Sequence, residues 1–134
     1  MYVNEGKVRV GFFHVAFLGD ESQWAAEAAE CAADQDKFWE FHDYLFEHQN
    51  GENQGAFSID NLKAFAADMK LDTEAFNECL DSGKYTQAVQ QMTMFANQLG
   101  VNSTPIFVIN GGAVQGAQAF EVFQQVIDQL LEEQ

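Results

Sequence analysis

The chain has few basic residues, few cysteines and no long apolar run, and each shortage argues against a class of function. The chain contains six Lys and Arg residues and 21 Asp and Glu residues, which gives a net charge of −15 at pH 7. Nucleic acids and anionic membranes bind basic surfaces, so this balance argues against both and favours solvated acidic faces. Two cysteines are too few for a disulfide scaffold, and their spacing fits no zinc motif. No apolar run reaches the roughly 18 residues of a membrane-spanning helix.

The length and the apolar content of the chain are sufficient for one domain with its own hydrophobic core. The chain is 47% hydrophobic over 134 residues and contains thirteen phenylalanines, enough for an aromatic-rich core. No repeat or linker divides residues 1–134. We do not expect the first 18 residues to form a signal peptide, because Arg9 and His14 interrupt the apolar stretch and no small-residue cleavage site follows.

Periodicity predicts a strand, five helices, a hairpin and a last helix. The stretch Lys7–Phe17 is rich in valine and phenylalanine and almost continuously apolar, which is typical of a strand buried on both faces. Helices are predicted over 23–34, 37–49, 58–69, 72–83 and 85–99, then strands over 105–110 and 112–116 and a helix over 118–132. The predicted caps are Asp20 or Ser22, Ser58, and Asp72 or Thr73. The predicted inward faces carry Trp24, Ala28, Cys31 and Ala32; Phe38, Phe41, Leu45 and Phe46; Leu62, Phe65 and Ala66; Phe76, Cys79 and Leu80; and Phe120, Phe123, Val126, Ile127 and Leu130.

The histidines do not suggest a metal site. His42 and His48 are six residues apart on one predicted helix and so do not share a face. His14 ends the predicted strand. We interpret all three as core or solvated side chains, and we predict neither a metal nor a cofactor.

Several segments, taken in order, resemble one known family. They are Phe17-Leu18-Gly19, Ala25–Phe46, Phe57-Ser58 with Asn61-Leu62-Lys63, Cys79–Tyr85, Leu99–Pro105, Asn110-Gly111 and Gly116–Phe120. Together they resemble the DsbA-like thioredoxin-fold family of exported thiol-disulfide oxidoreductases, over nearly the whole chain. The resemblance implies an α/β, thioredoxin-like fold with a helical insertion at about residues 20–99.

The resemblance also assigns a role to the only proline. Ser103-Thr104-Pro105 would be the family's cis-proline loop, in which the residue before proline offers its backbone to an extended substrate peptide. The alternative is a proline that simply starts a strand, where its missing N–H costs little.

The chain departs from the family at its redox centre. Working members carry Cys-x-x-Cys at the start of a helix, whose N-terminus lowers the pKa of the first thiol. We expect that motif before Asn4, together with the family's first strand and first helix, and the sequence contains none of them. The chain is therefore expected to be truncated at its N-terminus, by cloning, an incomplete gene or a wrong start codon. By family it is a disulfide oxidoreductase or isomerase, and alone it is predicted inactive.

For the two cysteines, the resemblance implies a structural disulfide between Cys31 and Cys79 that joins the inserted helices. Closing a loop of that size would stabilise the fold by about 4 kcal/mol through lost chain entropy. The alternative is two buried free thiols that act as small apolar side chains. A redox-active pair is less favoured, because buried cysteines are usually inert.

The missing strand would leave a gap in the sheet. We expect the gap to be closed by dimerisation, by strand exchange, or by direct pairing of the strands on either side of it. The family implies a periplasmic or extracellular location and protein or peptide thiol and disulfide substrates. The alternative functions are a peptide-binding module without catalysis and a structural oligomer.

Overall fold

Five helices occupy the middle of the sequence, and a hairpin with a sixth helix follows them along the chain. The structure is a computed structural model and describes all of residues 1–134. The chain divides into two compact units, which we call the helical unit (residues 14–98) and the hairpin unit (residues 1–13 and 99–134). In chain order the elements are α1 (Asp20–Ala33), α2 (Phe38–Glu47), α3 (Ile59–Asp68), α4 (Thr73–Asp81), α5 (Thr86–Gln98), β1 (Ile106–Ile109), β2 (Gly112–Gln115) and α6 (Phe120–Glu132). None of the helices combines the length and the apolar character that crossing a bilayer requires.

The helical unit is built around α1. This helix contacts each of α2, α3, α4 and α5. Its buried face carries small side chains, Ala28, Ala29 and Ala32, so that neighbouring helices approach closely. Phe41 of α2 and Phe76 of α4 are fully buried, with ring centroids 5.5 Å apart. Buried aromatic rings of this size contribute most to the stability of a small core.

Two of the predicted helix caps are confirmed. The Ser58 hydroxyl accepts a hydrogen bond from the Asn61 N–H at 3.3 Å, at the start of α3. The Asp72 carboxylate accepts one from the Ala75 N–H at 3.1 Å, at the start of α4. Each bond satisfies one of the backbone N–H groups that the first turn of a helix leaves without a partner.

The predicted cap of α1 is wrong. The helix begins at Asp20 with Gly19 as its N-cap, so neither Asp20 nor Ser22 occupies the capping position. The Asn53 side chain accepts a hydrogen bond from the Glu21 N–H at 3.4 Å instead. A Cβ on Gly19 would press against Asn53 at 3.1 Å, and the φ of 110° at this position itself favours glycine. A distant loop therefore supplies the cap, and no local pattern could have revealed it.

The loop after α2 is tied to the start of α1 by a buried carboxylate. Glu21 accepts hydrogen bonds from the Gly55 N–H at 2.6 Å and the Phe57 N–H at 2.8 Å. Glu21 is buried, and these backbone donors replace the water that the carboxylate loses. The loop is thus ordered by contacts with α1.

The hairpin unit contains the predicted hairpin. β1 pairs antiparallel with β2, with Ile109 opposite Gly112 across a two-residue turn. Asn110 and Gly111 have φ values of 48° and 90°, as a two-residue turn with both central residues left-handed requires. Phe107 of β1 packs edge to face on Phe123 of α6, with centroids 4.7 Å apart. The Tyr2 hydroxyl donates to Asp128 of α6 at 2.7 Å.

No residue of the hairpin unit is fully buried. On the predicted inner face of α6, Phe123, Val126, Ile127 and Leu130 are half-buried, but Phe120 is 55% exposed. The prediction for Phe120 is therefore wrong. A similar error concerns α2, where helical spacing predicts that Phe46 faces inward with Phe41 and Leu45, but Phe46 is exposed beside the His42 ring. In both cases the helical spacing is correct, but no neighbouring element covers that end of the face.

The predicted strand over residues 7–17 is also wrong. These residues form no strand, and several of its apolar side chains, among them Val10 and Phe13, are exposed. A strand exists only when a neighbour completes its backbone hydrogen bonds, and β1 pairs with β2 alone. Direct pairing of this stretch with β1, one of the three expected ways to close the sheet, does not occur.

Candidate functional site

The Ser103-Thr104-Pro105 loop lies between α5 and β1, and all three residues are exposed. The Thr104–Pro105 peptide bond is cis. The Pro105 carbonyl accepts a hydrogen bond from the Gly116 N–H at 2.8 Å, at the end of β2. The hairpin thus anchors the loop through its proline and leaves the two preceding residues at the surface.

One edge of β1 faces no strand. The Pro105–Gly116 bond and the two-residue turn make residues 105, 107 and 109 the hydrogen-bonded positions toward β2. Because the backbone groups of an antiparallel strand alternate in direction, those of Ile106 and Val108 point to the open edge. The Val108 side chain is 71% exposed. This edge can accept a further strand.

Cys31 of α1 and Cys79 of α4 are joined by a disulfide in the structure. The Sγ–Sγ distance is 2.12 Å and the Cα–Cα distance is 5.8 Å. Both residues belong to the core of the helical unit, Cys31 being 1% exposed and Cys79 9%. No cysteine of the chain is left as a free thiol.

A charged cluster lies beside this disulfide. The Lys84 ammonium donates to the Asp34 carboxylate at 2.6 Å, and the Tyr85 hydroxyl donates to the other oxygen of the same carboxylate. The bonds from Lys84 and Tyr85 lower the pKa of Asp34, and the bond with Asp34 raises the pKa of Lys84. Hydrogen bonding to Asp34 also raises the pKa of the Tyr85 hydroxyl. Asp34 is therefore held ionised, 3.8 Å from Sγ of Cys79.

The three histidines make different polar contacts. His14 is buried and shares a hydrogen bond of 2.8 Å with Glu30, with its ring edge against Phe38. His42 shares a hydrogen bond of 2.9 Å with Asp43. His48 stacks on Tyr44 with centroids 4.0 Å apart.

Sequence reasoning missed the polar contacts that cross the helical unit. Asp34 meets Lys84 and Tyr85 about fifty residues further along the chain, and Glu21 meets the loop at Gly55. Buried Glu27 likewise accepts hydrogen bonds from Gln23 and from the Thr86 hydroxyl. One signal was available: acidic residues stand within the otherwise apolar face of α1, where each needs a partner.

Comparison with known proteins places this geometry in a family. The sequence model of the family described as Thioredoxin matches residues 1–129. The crystal structure of the thiol-disulfide exchange protein alpha-DsbA2 from Wolbachia pipientis superposes with a TM-score of 0.81 at 26% identity, over 96% of this chain and 68% of that one. The chain belongs to the DsbA-like thioredoxin-fold family.

Curated relatives of this DsbA-like chain are longer proteins. "Probable disulfide bond formation protein D" of Bacillus cereus is 28% identical over 134 residues, which is 97% of this chain and 61% of that protein. The chain thus spans about three fifths of that relative's length. "Na(+)/H(+) antiporter NhaA 1" of Salinispora arenicola is 35% identical over 106 residues, 79% of this chain and 16% of the antiporter. Similarity to this DsbA-like chain thus occurs within proteins of different overall size.

Proposed function

We propose that this chain is the substrate-docking and helical part of a thiol-disulfide oxidoreductase or isomerase. The observation that carries the proposal is the match of 97% of the chain to a disulfide bond formation protein. The exposed Ser103-Thr104-Pro105 loop supplies the docking surface. Its substrates are cysteine-containing polypeptides in extended conformation, held through main-chain hydrogen bonds that tolerate many sequences.

The positions of the two cysteines indicate that residues 1–134 have a structural and docking role and not a redox role. Thiol-disulfide exchange needs an accessible thiolate. The two sulfurs of residues 1–134 are bonded to each other in the core of the helical unit. We assign to this disulfide a bracing role between α1 and α4, and to residues 1–134 by themselves no exchange of electrons with substrates. A Cys-x-x-Cys pair of the whole protein would carry out the exchange.

The structural disulfide also supports a proposal for the cellular location of the protein. Structural disulfides persist in oxidising surroundings, and the family is exported. We therefore assign the protein to the periplasm or the extracellular space.

A second function is favoured by the exposed apolar surface of the hairpin unit. The backbone of Val108 lies on the open edge of β1. The side chains of Val108, Leu99 and Phe120 are all more than half exposed. Unpaired edges of this kind recruit a further strand. The alternative is a module without catalysis that binds peptides or assembles with a second copy through β1.

The first experiment tests docking and catalysis separately. A peptide with one cysteine is titrated into the isotope-labelled chain, and we expect backbone amide shifts at Ser103 and Thr104. Thr104→Arg should abolish the shifts, because a bulky side chain there crowds the peptide. Gln115→Arg, an exposed position of β2, makes the same charge change and should leave binding intact. Equal binding by both variants would contradict the assignment of the loop.

Catalysis is measured as reduction of insulin by dithiothreitol with the 134-residue chain added. We expect the uncatalysed rate, with a Cys31→Ala/Cys79→Ala variant giving the same result. A rate above background that is lost in that variant would show that the buried disulfide is redox-active.

The oligomer alternative is tested by light scattering after size exclusion. Val108→Pro removes one outward N–H from β1 while leaving the ladder with β2 intact, and proline is tolerated on strand edges. Val108→Ala retains the N–H as the control. A dimer that Val108→Pro dissociates and Val108→Ala does not would favour assembly through this edge, whereas a monomer in all three chains would exclude it.

A further inference from the structure

A pocket opens beside the disulfide of the helical unit. It has a volume of about 350 Å³ and lies where the end of α1 meets α4. Both cysteines line it, together with Asp34, Gln35, Glu78 and Lys84. The disulfide is therefore buried in the core on one side and bordered by an open pocket on the other.

The two sulfur-bearing residues differ in exposure. Cys79 is 9% exposed and Cys31 1%. Both cysteines belong to the same core cluster, in which Cys31 is the more deeply buried of the two. Thiol-disulfide exchange requires an attacking thiolate to reach one sulfur in line with the bond. The pocket favours approach to Cys79, with Cys31 as the buried leaving group.

The walls of the pocket have a net negative charge. Asp34 and Glu78 each contribute one negative charge and Lys84 one positive charge. The Lys84 ammonium is already bonded to Asp34 at 2.6 Å and lies 5.2 Å from the centroid of the Tyr85 ring. An incoming anion is therefore repelled by the ionised Asp34 carboxylate close to Sγ of Cys79. The Lys84 ammonium offsets this repulsion only in part, because it is already bonded to Asp34.

We propose that small thiols open the Cys31–Cys79 disulfide through this pocket by attack at Cys79, and that the acidic walls select neutral thiols over anionic ones. The attacking thiolate bonds to Sγ of Cys79, the Sγ–Sγ bond breaks, and its electron pair leaves on Cys31, which takes a proton from solvent. A second thiol molecule then displaces Cys79 and leaves with the first as an oxidised small disulfide. The protein gains two electrons and two protons, and two thiols are oxidised.

The consequence is a disulfide protected by charge as well as by burial. A thiolate leaving into apolar surroundings is a poor leaving group, so opening is slow for every reductant. Additional negative charge on the reductant slows it further, to an extent that depends on the salt concentration.

The test compares rates of reduction by glutathione, which is anionic, and by 2-mercaptoethanol, which is neutral. Samples of the full chain are quenched with acid, alkylated and weighed by mass spectrometry. For each variant the glutathione rate is divided by its own 2-mercaptoethanol rate. A substitution that merely loosens the structure raises both rates and leaves this ratio unchanged.

Three variants distinguish an effect of the charge around the pocket from a general loosening of the structure. Asp34→Asn should raise the ratio about threefold, the effect of one unit charge removed at several ångströms in water. Lys84→Gln should lower the ratio by about the same factor, because it removes the positive charge of the pocket. Asp60→Asn, at an exposed position in the first turn of α3, should leave the ratio unchanged.

Two results would overturn the proposal. One is a ratio that is the same in wild type, Asp34→Asn and Lys84→Gln, which would show that charge around the pocket does not select thiols. The other is a trapped mixed disulfide that digestion assigns to Cys31 rather than Cys79. The expected result is a mixed disulfide on Cys79 and variant ratios that converge when about 1 M salt screens the charges.

Discussion

The helical unit and the hairpin unit differ in how completely each one buries its apolar surface. The helical unit has a continuous core with two fully buried phenylalanines, side-chain caps on α3 and α4 and a disulfide between α1 and α4. The hairpin unit has no fully buried residue and an open strand edge. Similar apolar contents thus lead to different outcomes, because burial requires an element on each side of an apolar face.

The sharpest test of this difference is a matched pair of phenylalanine truncations. Phe76 is fully buried and Phe107 is 40% exposed. Phe76→Ala should lower the free energy of unfolding by about 3–5 kcal/mol, through lost transfer energy and a cavity. Phe107→Ala should cost less than about 1 kcal/mol in the same transition, as a partly exposed side chain leaves little cavity. Urea unfolding followed by tryptophan fluorescence reports on the helical unit, where Trp24 and Trp39 lie.

Equal losses for the two truncations would contradict this comparison, because they would show that the units unfold as one and that Phe107 contributes as much to stability as Phe76.

The disulfide offers the next largest effect. Cys31 and Cys79 are separated by 48 residues. Replacing both by alanine should lower the unfolding free energy by about 4 kcal/mol, because a loop of this size gains chain entropy when it is opened. The loss should appear in the tryptophan-detected transition. Hydrogen exchange at β1 and β2 serves as the control and should not change, since the disulfide lies wholly within the helical unit.

Helix capping tests whether α6 of the hairpin unit can be stabilised in the way that α3 of the helical unit already is. Ser58→Ala should cost about 1 kcal/mol, because it removes the bond to the Asn61 N–H. At the start of α6, Ala119 makes no side-chain capping bond. Ala119→Ser should therefore slow amide exchange in the first turn of α6, reflecting a gain of about 0.5–1 kcal/mol. Faster exchange there would indicate that position 119 cannot adopt capping geometry.

The smallest expected effect is the pH dependence that Asp34 contributes to the stability of the helical unit. The lowered pKa of Asp34 means that its carboxylate stabilises the folded state at pH values above the ordinary range of aspartate. That stabilisation is lost as the pH falls through the ordinary value toward the lowered pKa. Because the Asp34 and Lys84 side chains are partly exposed to solvent, the stabilisation by Asp34 should amount to less than about 1 kcal/mol at neutral pH.

Unfolding of wild type and Asp34→Asn at neutral and acidic pH measures this contribution. The difference between them should shrink on acidification, and the control Asp60→Asn should show no such convergence. A difference that grows toward acid pH would mean that the sign of the Asp34 contribution is wrong.

Most of the secondary structure could be predicted from the sequence because its signals are local. The helix starts at Ser58 and Asp72 and the turn at Asn110-Gly111 depend on residues within one turn of each other. The inward side of α1 at Ala28, Cys31 and Ala32 followed from helical spacing alone. Short sequence segments resemble the DsbA-like family, and the structural comparison agrees with that resemblance.

The errors share one physical cause. Strand formation over residues 7–17, burial of Phe46 and Phe120 and the capping of α1 each depend on an element far away in the chain. An apolar face is buried only if something covers it, and a strand forms only if a neighbour accepts its hydrogen bonds. Local periodicity does not contain that information.

The sequence by itself determined the helices of the middle region, the hairpin and the family, because propensity, capping and spacing act over a few residues. The tertiary structure alone decided that Asp34 meets Lys84 and Tyr85 beside the disulfide and that Asn53 caps α1. It also decided that β1 has an open edge. These features join residues separated by about thirty to fifty positions or depend on which strands are neighbours, and such pairings arise only when the helices and strands pack.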